Sequence, residues 1–278
     1  MEPCFLIQTL DFWSFYGNVL VVIKIKFIEN FEKEMTEMKR PALLKPKSIR
    51  DFIAFEAHIK AIRAKRGLEV PEVWYRMPIH YRGNHLNVHA GGDIVPWPGY
   101  TDKFDFELEL ACVIGKKGIN ISEDDAHKYI RGYMIMNDWS CRDIQRDEMS
   151  GGLGPVMAKP GPSFGPYLVT ADELPDLANM RDMSDSGPLM RAYVNGELWS
   201  EGRFGAIYWS FAQMIAHISQ DTRIYPGEVL GSGTIGTGCG AELDRWIQPG
   251  DIVTLAVEGI GELTNKIGPK SIKRKKRR

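Results

Sequence analysis

Cysteine is scarce in this sequence, and none of it is arranged for pairing. Cys4, Cys112, Cys141 and Cys239 are the only four, and no two form a C-x-x-C pair. A disulfide framework is excluded, and a reducing, cytoplasmic compartment is expected. Long apolar runs are missing too. No stretch reaches the roughly eighteen consecutive apolar residues of a membrane-spanning helix. The nearest candidate, Phe5 to Phe27, is interrupted by Asp11 and has neither a basic leader nor a small-residue cleavage site. A signal peptide is therefore not expected. No internal repeat is visible. Strand-like and helix-like segments do not alternate regularly, which disfavours a doubly wound parallel sheet. Net charge is also nearly absent, at −1. That balance hides an asymmetry, because seven of the 35 basic residues lie between Lys270 and Arg278. The rest of the chain is acidic by about eight charges. Such a body does not suit nucleic acid and suits bound cations better.

What remains is the composition of a soluble globular protein, with 44% apolar and 26% charged residues, enough for a sizeable core. The 28 Gly and 16 Pro mean many turns and a β-rich body rather than a helix bundle. Val22 to Phe27 alternates like a strand, and Met38 to Ser48 reads as a linker. Asp51 to Arg66 has helical spacing, with Phe52, Phe55, Ile59 and Ile62 on one side and Asp51 placed as its N-cap. Lys103 to Ile114 reads as a strand. Ser122 followed by Asp125 marks a helix start. Gly132 to Asn137 reads as a strand and Phe204 to Ser219 as a helix. Leu230 to Ile235 and Asp251 to Glu258 read as strands.

Three groupings can carry chemistry. In a strand the side chains alternate, so Asp105, Glu107 and Glu109 share one face and Phe104, Phe106, Leu108 and Leu110 the other. Carboxylates about 7 Å apart beside a core repel one another unless a cation lies between them, and a hard divalent ion is the simple solution. The competing reading is an edge strand with a solvated acidic face. Next, an apolar strand ends in Asn137-Asp138 and is followed by Arg142, Asp143 and Gln145. This set could bind a metal and an anionic substrate, or be an N-cap and a surface helix. Finally, Asp51 and His58 would lie two turns apart on one helix face, where a half-buried histidine is the ordinary outcome. Two patterns mislead. Gly161 to Gly165 fits G-x-S-x-G but is flanked by Pro160 and Pro166, not by a strand and a helix. Gly231 to Gly236 fits G-x-G-x-x-G but opens no helix. His80, His85 and His89 lack the acid or thiol that would complete a zinc set.

Taken in order, the blocks FDFELELACVIGKKG, GYMIMNDWSCRDIQ, AKPGPSFGPYLVT, VNGE, GSGTIG and QPGD resemble the fumarylacetoacetate hydrolase family. The resemblance runs from about Asp51 to Ile267. It implies an α+β, β-rich fold, a mixed-sheet β-roll, usually in a homodimer. It implies three parts: an N-terminal segment 1–45 of unknown role, a catalytic domain 46–269 and a basic tail 270–278. It also implies one divalent cation, Mg²⁺ with Ca²⁺ or Mn²⁺ as alternatives, held by Asp51, Glu107, Glu109 and Asp138. Arg142, Gln145 and Lys159 match residues around the reacting group, and Tyr81 and Thr234 match substrate contacts. Glu242 matches the residue that orients a histidine, here His58, as general base. Departures fall on the substrate side: Met149 stands where an aromatic residue is usual, and the Lys159 block has one extra residue before it.

The function so implied is metal-dependent hydrolysis of a C–C bond in a small fumarylacetoacetate- or acylpyruvate-like 1,3-dioxo acid. A lyase acting on a 2-keto-3-deoxy sugar acid, or a 2-oxo acid decarboxylase, is the alternative within the same family. A non-catalytic metal-binding homologue is the third reading. No nucleic acid or membrane partner is expected.

Overall fold

The strand Leu108–Ile114 shows how the fold is organised. Every residue in it is buried, and its two faces serve different cores. Leu108, Leu110, Cys112 and Ile114 join the main apolar cluster, which also takes in Phe104, Phe106, Met190, Val253, Leu255 and Leu263. Ala111 and Val113 point the other way, into a smaller cluster with Ile49, Met134, Met136 and Val229. The alternation expected of a strand is met, and a solvated acidic edge is excluded. These features belong to a computed structural model that describes residues 45–152 and 154–272. The expected strand at Val22 to Phe27, most of the linker and of the N-terminal segment, and the end of the basic tail lie outside the described residues.

Leu108–Ile114 sits inside an eight-stranded sheet. On one side come Glu228–Gly231, Ser48–Phe52 and His80–Gly83, and on the other Ile130–Asn137, Ser163–Phe164 and His89–Ala90, with Val169–Thr170 also paired to Ile130–Asn137. Ser48–Phe52 runs parallel to Glu228–Gly231, while Leu108–Ile114 is antiparallel to both of its neighbours. A five-stranded sheet, ordered Glu197–Arg203, Leu189–Val194, Ile252–Val257, Gly261–Lys270 and Ile94–Trp97, packs into the main cluster. The helix Phe211–Ile218 packs there too and buries Phe211, Met214, Ile215 and Ile218. The result is a strand-rich α+β fold of mixed sheets. Among the described residues, no helix is long and apolar enough to cross a membrane.

Several boundaries differ from expectation for identifiable reasons. The helix predicted from Asp51 begins at Glu56, and Asp51 lies in the strand Ser48–Phe52. Hydrogen-bonded partners on both sides of that strand outweigh the helical spacing of its phenylalanines. The long strand from Lys103 is broken after Asp105. Phe104–Asp105 pairs with Ser140–Cys141 before the main strand starts at Leu108. The helix expected from Phe204 opens only at Phe211. There Ser210 and Gln213 form a reciprocal capping box that satisfies two unpaired N–H groups. The strand expected to reach Ile235 stops at Gly231. Ser122 does cap its helix, accepting from the Asp125 amide at 3.2 Å. Lys270, counted with the tail, is the last residue of Gly261–Lys270 and is ion-paired with Asp102.

Candidate metal centre and active site

The face of the large sheet that carries Ile49, Ala111 and Met134 turns acidic at one end. Asp51 follows Ile49 in the alternation, Glu109 precedes Ala111, and Asp138 lies just beyond the end of Ile130–Asn137. Glu107 joins them from the position just before the main strand, where its backbone bridges to Cys239. One oxygen from each of Asp51, Glu107, Glu109 and Asp138 lies within 4.8 Å of the others. All four residues are at most 5% exposed. Room for them depends on Gly231, the register partner of Asp51, where a Cβ would run into the Asp51 carboxylate.

Four buried carboxylates need compensation, and the protein supplies only part of it. The Lys159 ammonium, 5% exposed, donates to Glu107 Oε2 at 2.6 Å, to Ser140 Oγ at 2.7 Å and to Asp138. Tyr81 donates its hydroxyl to Asp138 Oδ2 at 2.7 Å, and the Gly233 amide donates to Glu109 Oε2 at 3.1 Å. Arg142 reaches Glu107 Oε1 at 2.8 Å but also serves Asp105 at 2.8 Å. Asp51 Oδ1 and Glu109 Oε1 have no partner. The titration behaviour follows. Burial, with Asp138 as the strongest like charge, pushes Asp51 well up, and burial with Asp51 and Asp138 does the same to Glu109. Burial also opposes ionisation of Glu107, but Lys159, Arg142 and His58 outweigh it and hold that carboxyl below its usual range. Two orphaned buried oxygens facing excess negative charge are what an oxygen-ligated divalent ion would satisfy, so the donor set fits one.

The second element is a dyad. His58 sits in the first turn of the helix Glu56–Ala64, and its Nδ1–H donates to Glu242 Oε1 at 2.5 Å. Glu242 is fixed in turn by the Thr237 amide at 2.9 Å and the Cys239 thiol at 3.6 Å. It rides on the short helix Gly240–Leu243, whose Gly240 and Ala241 amides donate to Asp105 at 2.8 and 3.0 Å. Asp105 therefore does not join Glu107 and Glu109. The break in the strand sends it to anchor Arg142 and the helix that carries Glu242.

His58, Asp51, Glu107, Glu109, Lys159 and Tyr81 border one cavity of about 280 Å³. Gln145, Met149 and Thr234 complete its polar and outer walls, and the buried Thr234 hydroxyl has no partner. Arg142 is placed behind Glu107, where it also donates to Gln145 at 3.1 Å. Sequence reasoning singled out neither Ser140, which receives Lys159, nor Cys239, nor Glu148. Each is an ordinary residue type whose role depends on a distant partner. The misleading patterns are settled by geometry. Ser163 sits in a two-residue strand and accepts from the Trp139 indole at 2.7 Å, with no helix following. His80, His85 and His89 belong to no metal-binding group among the described residues.

A mixed-sheet fold with a buried carboxylate cluster beside a His–Glu dyad defines a candidate enzyme site that could hold a divalent metal. Residues 47–268 match the family model described as "Fumarylacetoacetate (FAA) hydrolase C-terminal". The chain belongs to the fumarylacetoacetate hydrolase family. An uncharacterized protein of Staphylococcus aureus strain USA300 is 34% identical over 168 residues, covering 60% of this chain and 53% of that protein. The chain thus spans about half the length of the curated relatives it matches. Among solved structures, it is similar to 5-carboxymethyl-2-hydroxymuconate delta-isomerase from Mycobacterium smegmatis. That likeness has 27% identity, a TM-score of 0.64, and covers 83% of this chain and 79% of that one. It shares its fold with fumarylpyruvate hydrolase from Pseudomonas aeruginosa, solved with Mn²⁺ and pyruvate, at 21% identity and TM-score 0.64, over 81% and 97% of the two chains.

Proposed function

We propose that the chain is a hydrolase that cleaves the C–C bond of an acylpyruvate-like 2,4-dioxo acid. The observation that carries this reading is that His58, paired with Glu242, borders the same cavity as Asp51, Glu107 and Glu109, three of the four clustered carboxylates. Glu242 occupies Nδ1 and fixes the tautomer, which leaves Nε2 to take a proton from water. As the imidazolium forms, the adjacent carboxylate stabilises it. Water adds to the acyl carbonyl carbon, the bond to the central methylene breaks, and its electron pair stays on the pyruvate fragment as an enolate. The proton held by His58 returns to that fragment. One water is consumed, and a carboxylic acid and pyruvate leave. The Gln145 amide and the Thr234 hydroxyl are the donors available to the developing negative charge, and the Lys159 ammonium adds its positive charge from its place on Glu107, Asp138 and Ser140. Asp51, Glu107, Glu109 and Asp138 would hold the divalent ion, proposed as Mg²⁺ with Ca²⁺ or Mn²⁺ as alternatives. When bound it supplies Lewis acidity toward the substrate oxygens. A homodimer and a cytoplasmic setting complete the proposal.

The 27%-identical isomerase favours one second reading. Isomerisation, like lyase chemistry on a 2-keto-3-deoxy sugar acid, uses the same enolate without an attacking water. The test is incubation with acylpyruvates and with 2-keto-3-deoxy sugar acids, with Mg²⁺ or EDTA, in ¹⁸O-labelled water. Hydrolysis yields equal amounts of pyruvate and a carboxylic acid that carries the label. Isomerised or dehydrated product without label would replace the hydrolase reading.

A further inference from the structure

We propose that the site is built for a 2,4-dioxo acid whose far end is uncharged and apolar, and that it discriminates against a second terminal carboxylate. This rests on the hydrolase reading for where the head of the substrate binds, and adds which tail it takes. The cavity has two unlike halves. Around the acid cluster it offers Lys159, Gln145 and Thr234. The rest of the wall is mostly apolar, with Phe52, Ile53, Ile79, Met149 and Pro155.

What matters is the supply of positive charge in that second half. Among the described residues, Lys159 is the only lysine or arginine on the cavity wall. Its ammonium is already committed to Glu107, Asp138 and Ser140. Three arginines stand near but are turned to other uses, Arg142 being paired with Glu107 and Asp105. Arg50 is paired with Glu228 inside the sheet, and Arg82 borders a separate cavity with Asn84, Asn87 and Tyr100. His80 is on the wall, tilted against the Phe52 ring with centroids 4.8 Å apart. Burial, reinforced by Arg50, His217 and Arg82, pushes it down to about 4, so it is neutral at pH 7 and offers no counter-charge.

A second carboxylate in this half would lose water and gain no cation, and it would face a site already rich in negative charge. An alkyl tail would instead remove apolar wall from water. Met149, 46% exposed, forms the rim.

A chain-matched pair isolates the tail. Butanoylpyruvate and succinylpyruvate have the same seven-carbon backbone and the same dioxo head, and differ only in a terminal methyl or carboxylate. With the Mg²⁺-supplemented enzyme, kcat/KM for butanoylpyruvate should exceed that for succinylpyruvate by at least ~10-fold, the effect of an unpaired charge against an apolar wall. Met149→Lys, which adds an ammonium at the rim, should narrow or reverse that ratio. Binding of both compounds is measured by calorimetry in parallel. If both bind with the expected preference but neither is cleaved, the hydrolase reading fails and the tail assignment stands. Equal or reversed selectivity in the wild type, or an unchanged ratio in Met149→Lys, would overturn the assignment. Absence of binding by either would overturn both.

Discussion

His58 and Glu242 meet at 2.5 Å although 184 residues of chain separate them. The contact needs the helix Glu56–Ala64 and the short helix Gly240–Leu243 to converge on the same end of the large sheet. Asp105 ties the second of these helices in place through two backbone amides. If His58 is the base, His58→Ala should lose at least ~10²-fold in turnover while keeping Mg²⁺ affinity, since a positioned base is typically worth that much. Glu242→Gln should lose less and should shift the pH–rate profile, because the imidazolium would lose its neighbouring charge. Steady-state kinetics across pH, with Mg²⁺ binding by calorimetry, check both. Full turnover in His58→Ala would remove the base from the mechanism.

Among the described residues, Lys159 is the one ammonium inside the carboxylate cluster. Lys159→Met should cut turnover by ~10²–10³, the range seen when a donor aimed at developing charge is removed. It should also destabilise the metal-free protein by about 3–5 kcal/mol, the usual effect of breaking a buried ion pair. Excess Mg²⁺ should restore part of the melting temperature, because both carboxylate partners of Lys159 are proposed metal ligands. Melts with and without Mg²⁺ test this, and a variant as stable as wild type in EDTA would contradict it.

Much of the site could be read in the sequence wherever the chemistry follows a local period. Glu107 and Glu109 declare themselves by strand alternation next to an apolar run, and Asp138 by ending one. Asp51 was misplaced because its phenylalanines have helical spacing, whereas its true setting depends on strands far along the chain, Glu228–Gly231 and His80–Gly83. The pairing of His58 with Glu242 has no local signature at all. It was reachable only through the family resemblance, as was the assignment of Thr234. Asp105 shows the limit of the period itself. One break in the strand moved it from the proposed ion to Arg142.

Glu109 gives a test of the metal centre that does not depend on turnover. Burial, Asp51 and Asp138 all raise its carboxyl, so its folded value lies above its unfolded one. Such a group favours the fold below the unfolded value, and that contribution is lost as pH rises through the folded one. In the metal-free protein its charge is therefore a cost wherever the carboxylate is ionised. Glu109→Gln should melt no lower than wild type in EDTA, and higher where the wild-type carboxylate is ionised. Only wild type should gain from Mg²⁺, by about 2.7 kcal/mol at a hundredfold excess over Kd. A Glu109→Gln variant that responds to Mg²⁺ like wild type would exclude Glu109 as a ligand.

Glu148 tests how Lys159 is held in place. It lies near the end of the helix Arg142–Ser150, and its carboxylate accepts from three consecutive amides: Val156 at 2.7 Å, Met157 at 2.7 Å and Ala158 at 3.0 Å. The segment so pinned leads directly into Lys159 and follows a turn containing Gly151, Gly152 and Gly154. Gly152 and Gly154 hold positive φ values of 79°, which other residues rarely adopt. The carboxylate thus clips the return of a conformationally free turn to the helix that carries Gln145. Burial works against its ionisation, but the three amides outweigh it and hold Glu148 below the usual range. A depressed carboxyl stabilises the fold above its unfolded value, and that contribution is lost as pH falls through the folded one. Glu148→Ala should therefore cost about 1 kcal/mol at pH 7, modest because the group is partly solvated. It should also lower kcat by loosening Lys159, and Glu148→Gln, which keeps an acceptor, should recover part of the loss. The stability gap between wild type and Glu148→Ala should close as pH falls below the ordinary glutamate range. Denaturant melts from acid to neutral pH measure that gap. A gap that stays constant across the range would show that the carboxylate's charge is not what holds the clip.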